Sequence, residues 1–287
     1  MIIVTGASGQ LGRAVVEEVL KRVPAAQVGV SVRDPQKVKD LADRGVRVRR
    51  GDYEDAATLL HAFEGATQVL IVSSNSGGDQ AVRQHRTAIG VAQAAGAQRL
   101  FYTSHVGASP TSPFGPMPDH AATEAALGAS GVAYTILRNG FYATTVPMML
   151  GGALTTGEIA LPEDGPVSWT THADLAEATA ILLTSKDPGE GIVNLTASQA
   201  FVFQEVATLV GEISGRPVSR RVVTDQDYLS AMVSRGLPER MAAFSLGIFQ
   251  ASRQGQFALV DPTLERLLGR PPVSLRDFLK TALAPAQ

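Results

Sequence analysis

The stretch Met1-Ile2-Ile3-Val4-Thr5-Gly6-Ala7-Ser8-Gly9-Gln10-Leu11-Gly12 decides the fold of this chain. A short apolar run leads directly into the pattern Gly6-x-x-Gly9-x-x-Gly12, and an amphipathic segment follows. Strand, glycine turn and helix in this order form a site for a dinucleotide pyrophosphate, because glycine lets the backbone turn tightly and approach the phosphates. The N–H groups at the start of the helix then face the anion. The alternative is a glycine-rich turn with a structural role only.

The bulk composition excludes several classes of protein. The chain has 287 residues, of which 45% are hydrophobic, and a net charge of −2, so no basic surface indicates a nucleic-acid partner. It contains no cysteine, which excludes disulfides, thiolate metal sites and cysteine nucleophiles and fits a reducing cytoplasm. Because the first predicted strand begins at the start of the chain, we expect no signal peptide. No apolar run approaches the roughly 20 residues of a membrane span, so we expect no membrane partner.

The first half of the chain alternates between strand-like and helix-like patterns. The predicted strands are 1–4, 27–32, 46–49, 68–73, 99–104 and 133–138, and the predicted helices are 11–20, 35–44, 56–63, 80–95 and 121–130. This βαβ repetition predicts an α/β fold, a Rossmann-type doubly wound parallel sheet with helices on both faces. The ligand crevice is expected at the carboxyl ends of the strands.

After about residue 140 the alternation loosens. A strand at 192–195 and a helix at 203–214 are predicted, and further segments follow at 218–223, 226–236, 239–253, 262–268 and 275–283. We predict an NAD(P)-binding domain at 1–145 and a smaller, mostly helical lobe at 146–287 that covers the crevice. The chain is expected to cross back to the first domain around 168–200.

The glycine loop predicts that Gly6, Ala7, Ser8, Gly9, Gln10 and Leu11 bind the cofactor. The first charged residue after the second strand, Arg33, predicts which nicotinamide cofactor that is. A carboxylate there would accept a hydrogen bond from the ribose 2′-hydroxyl of NAD, whereas a guanidinium binds the 2′-phosphate of NADP. Lys37 adds charge, so we predict NADP(H). Asp34 leaves NAD(H) open, because its carboxylate is able to accept ribose hydroxyls, and Arg33 as an ordinary surface charge is the further alternative.

Asp52 and Tyr53 follow the third strand, where the adenine edge is expected, and we predict that both bind the cofactor. Asp52 either accepts from the adenine amino group or caps the next helix.

The glycine spacing resembles that of the short-chain dehydrogenase/reductase superfamily, most of whose members use a Tyr-x-x-x-Lys pair as a tuned acid. No tyrosine of this chain has a lysine four positions later. The residues at that position after Tyr53, Tyr102, Tyr134, Tyr142 and Tyr228 are Ala57, Val106, Arg138, Val146 and Met232. Lysine occurs only at positions 21, 37, 39, 186 and 280, so the pair is absent.

The region of the missing pair contains Asp119-His120-x-x-x-Glu124 and, further on, the run from Ser130 to Tyr142. These segments resemble the NmrA-like, atypical branch of the superfamily, and within it the bacterial NADPH:quinone reductases and the related triphenylmethane dye reductases. The likeness also includes Val32-Arg33-x-Pro35, Gly51-Asp52-Tyr53, Tyr102-Thr103-Ser104 and Asp261-x-x-Leu264-x-x-Leu267-Leu268-Gly269. It runs nearly from end to end.

The resemblance implies three further stretches along the cofactor. They comprise Ser73, Ser74 and Asn75; Arg138, Asn139, Gly140, Phe141 and Tyr142; and Ser168, Trp169, Thr170, Thr171, His172 and Ala173. Serine and asparagine offer donors for ribose and phosphate oxygens at a strand end, and Asn139 has a donor and an acceptor for the carboxamide or ribose. Trp169 departs from the small residue that the family leads us to expect.

The predicted substrate pocket consists of His120, Asn139, Phe141, Tyr142, Trp169 and Phe244, with Met241 beside Phe244. Flat apolar side chains sandwich an aromatic ring; the alternative is that each of them is ordinary core. His120 is the predicted catalytic residue, for proton delivery or for binding a quinone oxygen. Its alternative role is packing or helix capping.

The absence of the Tyr-x-x-x-Lys pair is compatible with an acceptor such as a quinone. Hydride addition to a quinone gives a stabilised phenolate, which does not require a general acid for its protonation. We therefore predict an NADPH-dependent oxidoreductase that reduces a quinone or a similar flat aromatic acceptor, as a monomer or homodimer in the cytoplasm. The alternative is an NmrA-like, dinucleotide-sensing regulator without turnover. A reductase of dyes, imines or enones is the third possibility.

Overall fold

The computed structural model describes residues 1–284. Its strands are β1 Ile2–Thr5, β2 Val28–Val32, β3 Arg47–Arg50, β4 Gln68–Ile71, β5 Arg99–His105, β6 Ala133–Asn139, β7 Phe141–Tyr142, β8 Glu158–Pro162, β9 Trp169–Thr170, β10 Gly191–Leu195 and β11 Ser219–Val223. Its helices are α1 Gln10–Leu20, α2 Lys39–Asp43, α3 Ala56–Phe63, α4 Asp79–Ala94, α5 Pro116–Gly128, α6 Thr145–Leu150, α7 Ala153–Thr156, α8 His172–Thr184, α9 Phe203–Ser214, α10 Asp225–Ser234, α11 Glu239–Arg253, α12 Thr263–Leu268 and α13 Leu275–Ala282. Short 3-10 turns lie at Ala25–Gln27 and Pro35–Val38.

Seven parallel strands form the central sheet, in the order β10-β6-β5-β4-β1-β2-β3. From β1 the chain runs outward to β2 and β3, and it then returns to build the other half from β4. The strand order therefore reverses between β1 and β4, which opens a crevice at their carboxyl ends. The glycine loop leaves β1 at this point.

The sheet is buried on both faces, as parallel sheets are. One face, with Val4, Val30 and Leu137, packs against α1 and α8. The other face, with Ile3 and Tyr102, packs against α3, α4 and α5. A third core lies mainly in the C-terminal half, and it also takes in side chains from the first half. Its large members include Phe114, Phe141, Trp169, Phe203, Phe249 and Phe257.

The predicted fold class is confirmed, and the differences lie within it. The predicted helix at 35–44 is a 3-10 turn followed by the short helix α2. The helix predicted to begin at residue 121 begins at Pro116 instead, since proline fits the first helical turn. The sequence did not predict α8, because this helix is apolar almost all round and shows no stripe. Its burial against α1 explains that pattern.

The sequence also did not predict five short elements, the strands β7, β8 and β9 and the helices α6 and α7. β7 pairs with β9, and β8 with β11, in two small sheets outside the central one. Among residues 1–284, no helix combines the length and the apolar composition needed to cross a membrane. The division of the chain at residue 145 stays a prediction.

Candidate active site

The glycine loop has the geometry of a phosphate cradle. Gly6 has a φ of +63°, a region that favours glycine, and its N–H donates to the Ser31 carbonyl at 3.1 Å. A Cβ on Gly12 would lie 2.4 Å from the Gly6 carbonyl oxygen, so only glycine lets α1 pack this closely on the turn. No side chain caps α1, which leaves the N–H groups of its first turn to a ligand. This open helix start fits the predicted pyrophosphate.

Arg33 is exposed at the end of β2 and forms no ion pair with any residue in 1–284. The neighbouring Asp34 is engaged with its own backbone: its carboxylate accepts the Gln36 N–H at 3.0 Å and caps the 3-10 turn. Lys37 lies exposed in that turn. The cation at this strand end is therefore free, while the carboxylate that left NAD(H) open is engaged.

Asp52 and Tyr53 differ in what they leave for a ligand. Asp55, not Asp52, caps α3, so the capping alternative for Asp52 is wrong. The Asp52 carboxylate accepts the Glu54 N–H at 3.1 Å in a local turn. The Tyr53 hydroxyl is engaged in the fold, since it donates to the Val72 carbonyl at 2.7 Å and lies 2.5 Å from the Thr5 hydroxyl. Only the ring of Tyr53 remains for contact with a nucleotide.

The segment after β4 is tied down by buried polar side chains. The Ser73 N–H donates to the Thr103 hydroxyl at 2.8 Å, and the Ser74 N–H donates to Nε2 of His85 at 2.8 Å. The Ser74 hydroxyl bonds to Gln84, and Asn75 is exposed. These bonds hold the segment at the edge of the crevice, and its role toward the cofactor stays a prediction.

The hydroxyl groups in the stretch from Ser168 to Ala173 form hydrogen bonds within the fold, whereas the buried Nε1 of Trp169 has no partner among residues 1–284. The Ser168 hydroxyl donates to the Phe257 carbonyl at 3.2 Å, and the Thr170 hydroxyl joins the Ser168 carbonyl to the Ala197 N–H. Thr171 caps α8 through the Asp174 N–H. The protons of these hydroxyls are used within the fold, so toward a cofactor they are acceptors only, and their role there stays a prediction. Within 1–284 the buried Nδ1 of His172 has no partner.

Asn139, at the end of β6, has a fully buried side chain whose amide oxygen and nitrogen find no hydrogen-bond partner among the described residues. An unpaired buried amide is costly, so such a group signals a ligand or an ordered water. The next residue must be glycine, because a Cβ on Gly140 would lie 2.2 Å from the Thr170 hydroxyl. The same burial closes the amide off from the crevice, so the predicted role of Asn139 toward a carboxamide or ribose stays a prediction.

The side chain of Arg138 points to an internal partner. Its guanidinium pairs with both oxygens of Glu124, at 2.9 and 2.6 Å, and the Ser104 hydroxyl donates to the same carboxylate at 2.6 Å. Glu124 holds the pKa of Arg138 above its usual value. This ion pair ties α5 to β6 and argues against a direct bond from Arg138 to the cofactor.

His120 lies in α5 within a group of buried polar rings. Its Nδ1 is 2.8 Å from the Tyr102 hydroxyl, and the centroid of its ring is 6.4 Å from that of His105. Burial lowers the pKa of His120 to about 4 and that of His105 to about 3, so both imidazoles are neutral at neutral pH. His120 is therefore suited to donate a hydrogen bond from a neutral ring, and an imidazolium acid is disfavoured.

The predicted aromatic walls of the substrate pocket are mostly core. Trp169 is 1% exposed and packs edge-on against Phe141 and Phe203, so its burial argues against the predicted sandwich with an acceptor ring. Phe141 is likewise buried, and Tyr142 packs on the ring of His172. Phe244 is the exception, since it is 44% exposed and contacts Phe114. It stays a candidate for the pocket.

Three residues of this region escaped the sequence argument: Tyr102, His105 and Phe257. His105 packs edge-on against Phe141 and Phe257, with ring centroids 5.2 Å apart in both pairs. His105 could have been predicted as a site residue from its position at the carboxyl end of β5. No local sequence pattern indicates Phe257, which is distant in the sequence from the other residues of the site. Within the described part of the chain, no cluster of histidine and carboxylate side chains is arranged to hold a metal ion.

Comparisons with known proteins agree with this geometry. Residues 6–186 match the model of a family described as NAD(P)H-binding. The chain is 35% identical over 278 residues to quinone oxidoreductase 2 of Escherichia coli K12, covering 96% of each protein.

Two solved structures are also similar over nearly their whole length. The E. coli NADPH-dependent quinone oxidoreductase complexed with NADPH has a TM-score of 0.93 at 34% identity, covering 99% of this chain and 100% of that one. The Citrobacter sp. triphenylmethane reductase complexed with NADP(H) has a TM-score of 0.90 at 33% identity, covering 98% of this chain and 100% of the other.

Proposed function

The chain belongs to the NAD(P)H-binding family, and from this premise we propose that it is an NADPH-dependent reductase of quinones or similar flat aromatic acceptors. One observation carries the proposal. Three polar side chains meet at the carboxyl ends of β5 and β6 and on α5, namely those of His105, Asn139 and His120. None of the three carries a charge at neutral pH. Such groups donate hydrogen bonds but do not supply the proton that reduction of a ketone requires. A quinone is an acceptor that needs no more than this.

The residues proposed to hold the cofactor follow from their positions around the crevice. The N–H groups at the start of α1 bind the pyrophosphate, and Arg33 binds the 2′-phosphate as a free cation. Asn139 binds the carboxamide or the ribose at the end of β6, which supplies the partner that its buried amide lacks. When bound, the reduced nicotinamide supplies the hydride.

Catalysis by the chain's own residues then consists of positioning and hydrogen bonding. His120 donates an N–H to the oxygen of the acceptor, where negative charge develops. The proton that completes the hydroquinone comes from water, because the neutral ring of His120 is not an acid at neutral pH.

The relatives favour an enzyme over a regulator without turnover. Each of the two similar structures reported above is described as an oxidoreductase or a reductase, and each was solved with its reduced or oxidised dinucleotide.

The remaining parts of the proposal concern context. We propose a cytoplasmic enzyme, acting on small molecules without nucleic acid or membrane partners, as a monomer or homodimer. The lack of cysteine and the net charge of −2 support the compartment and the absence of a nucleic-acid partner. The division into a cofactor domain at 1–145 and a covering lobe at 146–287 belongs to the same proposal.

The test is a turnover assay. The protein is mixed with NADPH and a panel of quinones, together with a triphenylmethane dye, an imine and an enone, and the absorbance of the reduced nicotinamide is followed. We expect the fastest oxidation with a quinone. NADPH binding without turnover across the whole panel would contradict the enzymatic proposal.

A further inference from the structure

A chain of buried hydrogen bonds leads from the segment after β4 to His120. It begins at the backbone N–H of Ser74, which donates to Nε2 of His85 at 2.8 Å. A backbone N–H is always a donor, so Nε2 of His85 carries no proton. Burial lowers the pKa of His85 to about 4, which makes the ring neutral at neutral pH. Its single proton is therefore on Nδ1.

The next bonds follow from that assignment. Nδ1 of His85 lies 2.9 Å from the Thr123 hydroxyl, which donates its own proton to the Asp119 carbonyl at 2.8 Å. Thr123 thus accepts from His85. The Tyr102 hydroxyl lies 3.5 Å from the same Nδ1, which carries a proton and cannot accept another. The acceptor nearest to it is Nδ1 of His120, at 2.8 Å, whereas the Thr123 hydroxyl, which also neighbours Tyr102, already accepts from His85.

We infer that Tyr102 is a positioning residue that holds His120 in the tautomer with its proton on Nε2, and that His85 sets the direction of this hydrogen bond. Only one part of this inference rests on the proposed function, namely that the Nε2 proton of His120 faces the oxygen of the acceptor. The tautomer itself follows from the hydrogen bonds. Because this series of hydrogen bonds starts at Ser74, it also couples the segment after β4 to the orientation of His120.

No charged group beside this series of hydrogen bonds, among residues 1–284, reverses the assignment of its protons. Tyr102 is fully buried in β5, and burial raises the pKa of its hydroxyl, so it remains a proton donor. The carboxylates nearest the chain are engaged elsewhere: Glu124 with Arg138, and Asp119 with the Gly78 N–H at 2.7 Å. His105 accepts the Gly107 N–H on its own Nδ1 at 3.0 Å, so it also keeps its proton on Nε2.

The test measures the tautomer directly, by long-range proton–nitrogen correlation spectra of the protein labelled with ¹⁵N in its histidines. The signals are assigned with His85→Gln and His120→Gln. In the wild type we expect a protonated Nε2 and a bare Nδ1 for His120, and the reverse for His85. A proton on Nδ1 of His120 in the wild type would overturn the inference without any variant being needed.

Tyr102→Phe keeps the ring and removes the donor. We expect the His120 signals to shift toward a mixture of both tautomers. We also expect kcat to fall about tenfold, which corresponds to the free energy of one lost hydrogen bond, while KM for NADPH stays unchanged. The matched control is Tyr134→Phe in β6, which should change neither. Unchanged His120 signals in Tyr102→Phe would overturn the inference. If no quinone is reduced at all, the proposed function fails while the tautomer measurement still decides this proposal.

Discussion

At the scale of single residues, Arg33 is the residue that we propose selects NADPH over NADH. Its guanidinium is exposed and unpaired within 1–284, while the neighbouring carboxylate of Asp34 is engaged in a cap. We expect Arg33→Ala to weaken NADPH binding roughly ten- to hundredfold through the loss of a charge-assisted bond, and to leave NADH binding nearly unchanged. Titration with both cofactors measures this. Arg235→Ala, an exposed arginine at the end of α10, is the control, and equal losses for both cofactors would refute the 2′-phosphate assignment.

His120 carries the second residue-scale prediction. If a neutral Nε2–H binds the acceptor, a glutamine is the better replacement, because its amide nitrogen reaches about as far as Nε2. We expect His120→Gln to keep most of the turnover, whereas His120→Asn and His120→Ala lose roughly ten- to hundredfold in kcat. Affinity for NADPH should stay at the wild-type value in all three. Equal turnover by wild type and His120→Ala would assign His120 a structural role.

At the scale of elements, the glycine turn and α1 approach each other backbone to backbone. A Cβ on Gly12 would lie 2.4 Å from the Gly6 carbonyl oxygen. We expect Gly12→Ala to push α1 off the turn, lowering both the melting temperature and the affinity for NADPH. The control is Gly90→Ala in α4, where nothing lies within 4 Å of the new methyl group.

The control makes the Gly12 prediction specific. An alanine in an open helix interior stabilises by about 0.5–1 kcal/mol relative to glycine, so Gly90→Ala should raise the melting temperature. If both variants behave alike, helix propensity rather than the close approach explains the effect. Calorimetry and cofactor titration on the same two proteins decide between these explanations.

The sequence predicted those elements whose pattern is local. The helices 56–63 and 203–214 have their predicted bounds, because each has a clear apolar stripe or a terminal signal, and the segment predicted at 239–253 is the helix α11. α8 was missed since burial against α1 and α12 removes the stripe that a surface helix shows. Two-residue strands such as β7 and β9 have no period to detect.

The site follows the same division. The glycine loop and Arg33 lie in short stretches of chain, so the sequence alone predicts a tight turn at Gly6 and an exposed cation after β2, while their contacts with the cofactor stay predictions. Whether Trp169 faces a ligand or the core depends on Phe141 and Phe203, which come from other parts of the chain. The tautomer of His120 depends on three hydrogen bonds between distant residues, and no spacing in the sequence encodes it.

At the scale of the whole molecule, the site lies where the sheet meets the third core. His105 ends β5 and packs against Phe141 and Phe257, both members of that core. Phe257 is held close by Gly107, where a Cβ would lie 2.5 Å from the ring. Phe141 and Phe257 therefore help to bury His105, and the neutral state of its ring depends on packing between distant parts of the chain.

This burial predicts how stability depends on pH. Burial lowers the pKa of His85 and His120 to about 4 and that of His105 to about 3, whereas histidines in an unfolded chain titrate near about 6.5. As the pH falls below about 6.5, the unfolded state takes up protons first, so the free energy of unfolding decreases. Each buried histidine contributes a slope of at most about 1.4 kcal/mol per pH unit, and above about pH 7 these groups contribute none.

Urea denaturation between about pH 7.5 and about pH 5 tests this, because ordinary carboxylates titrate below that range. His105→Asn keeps an acceptor for the Gly107 N–H and removes one titrating ring, so the slope of stability against pH should become shallower even where the variant is less stable overall. His61→Gln, at an exposed position in α3, should leave the slope at its wild-type value. A wild-type free energy of unfolding that stays constant down to about pH 5 would show that the imidazoles at the junction of sheet and lobe take up protons without unfolding, which contradicts their neutral, buried state.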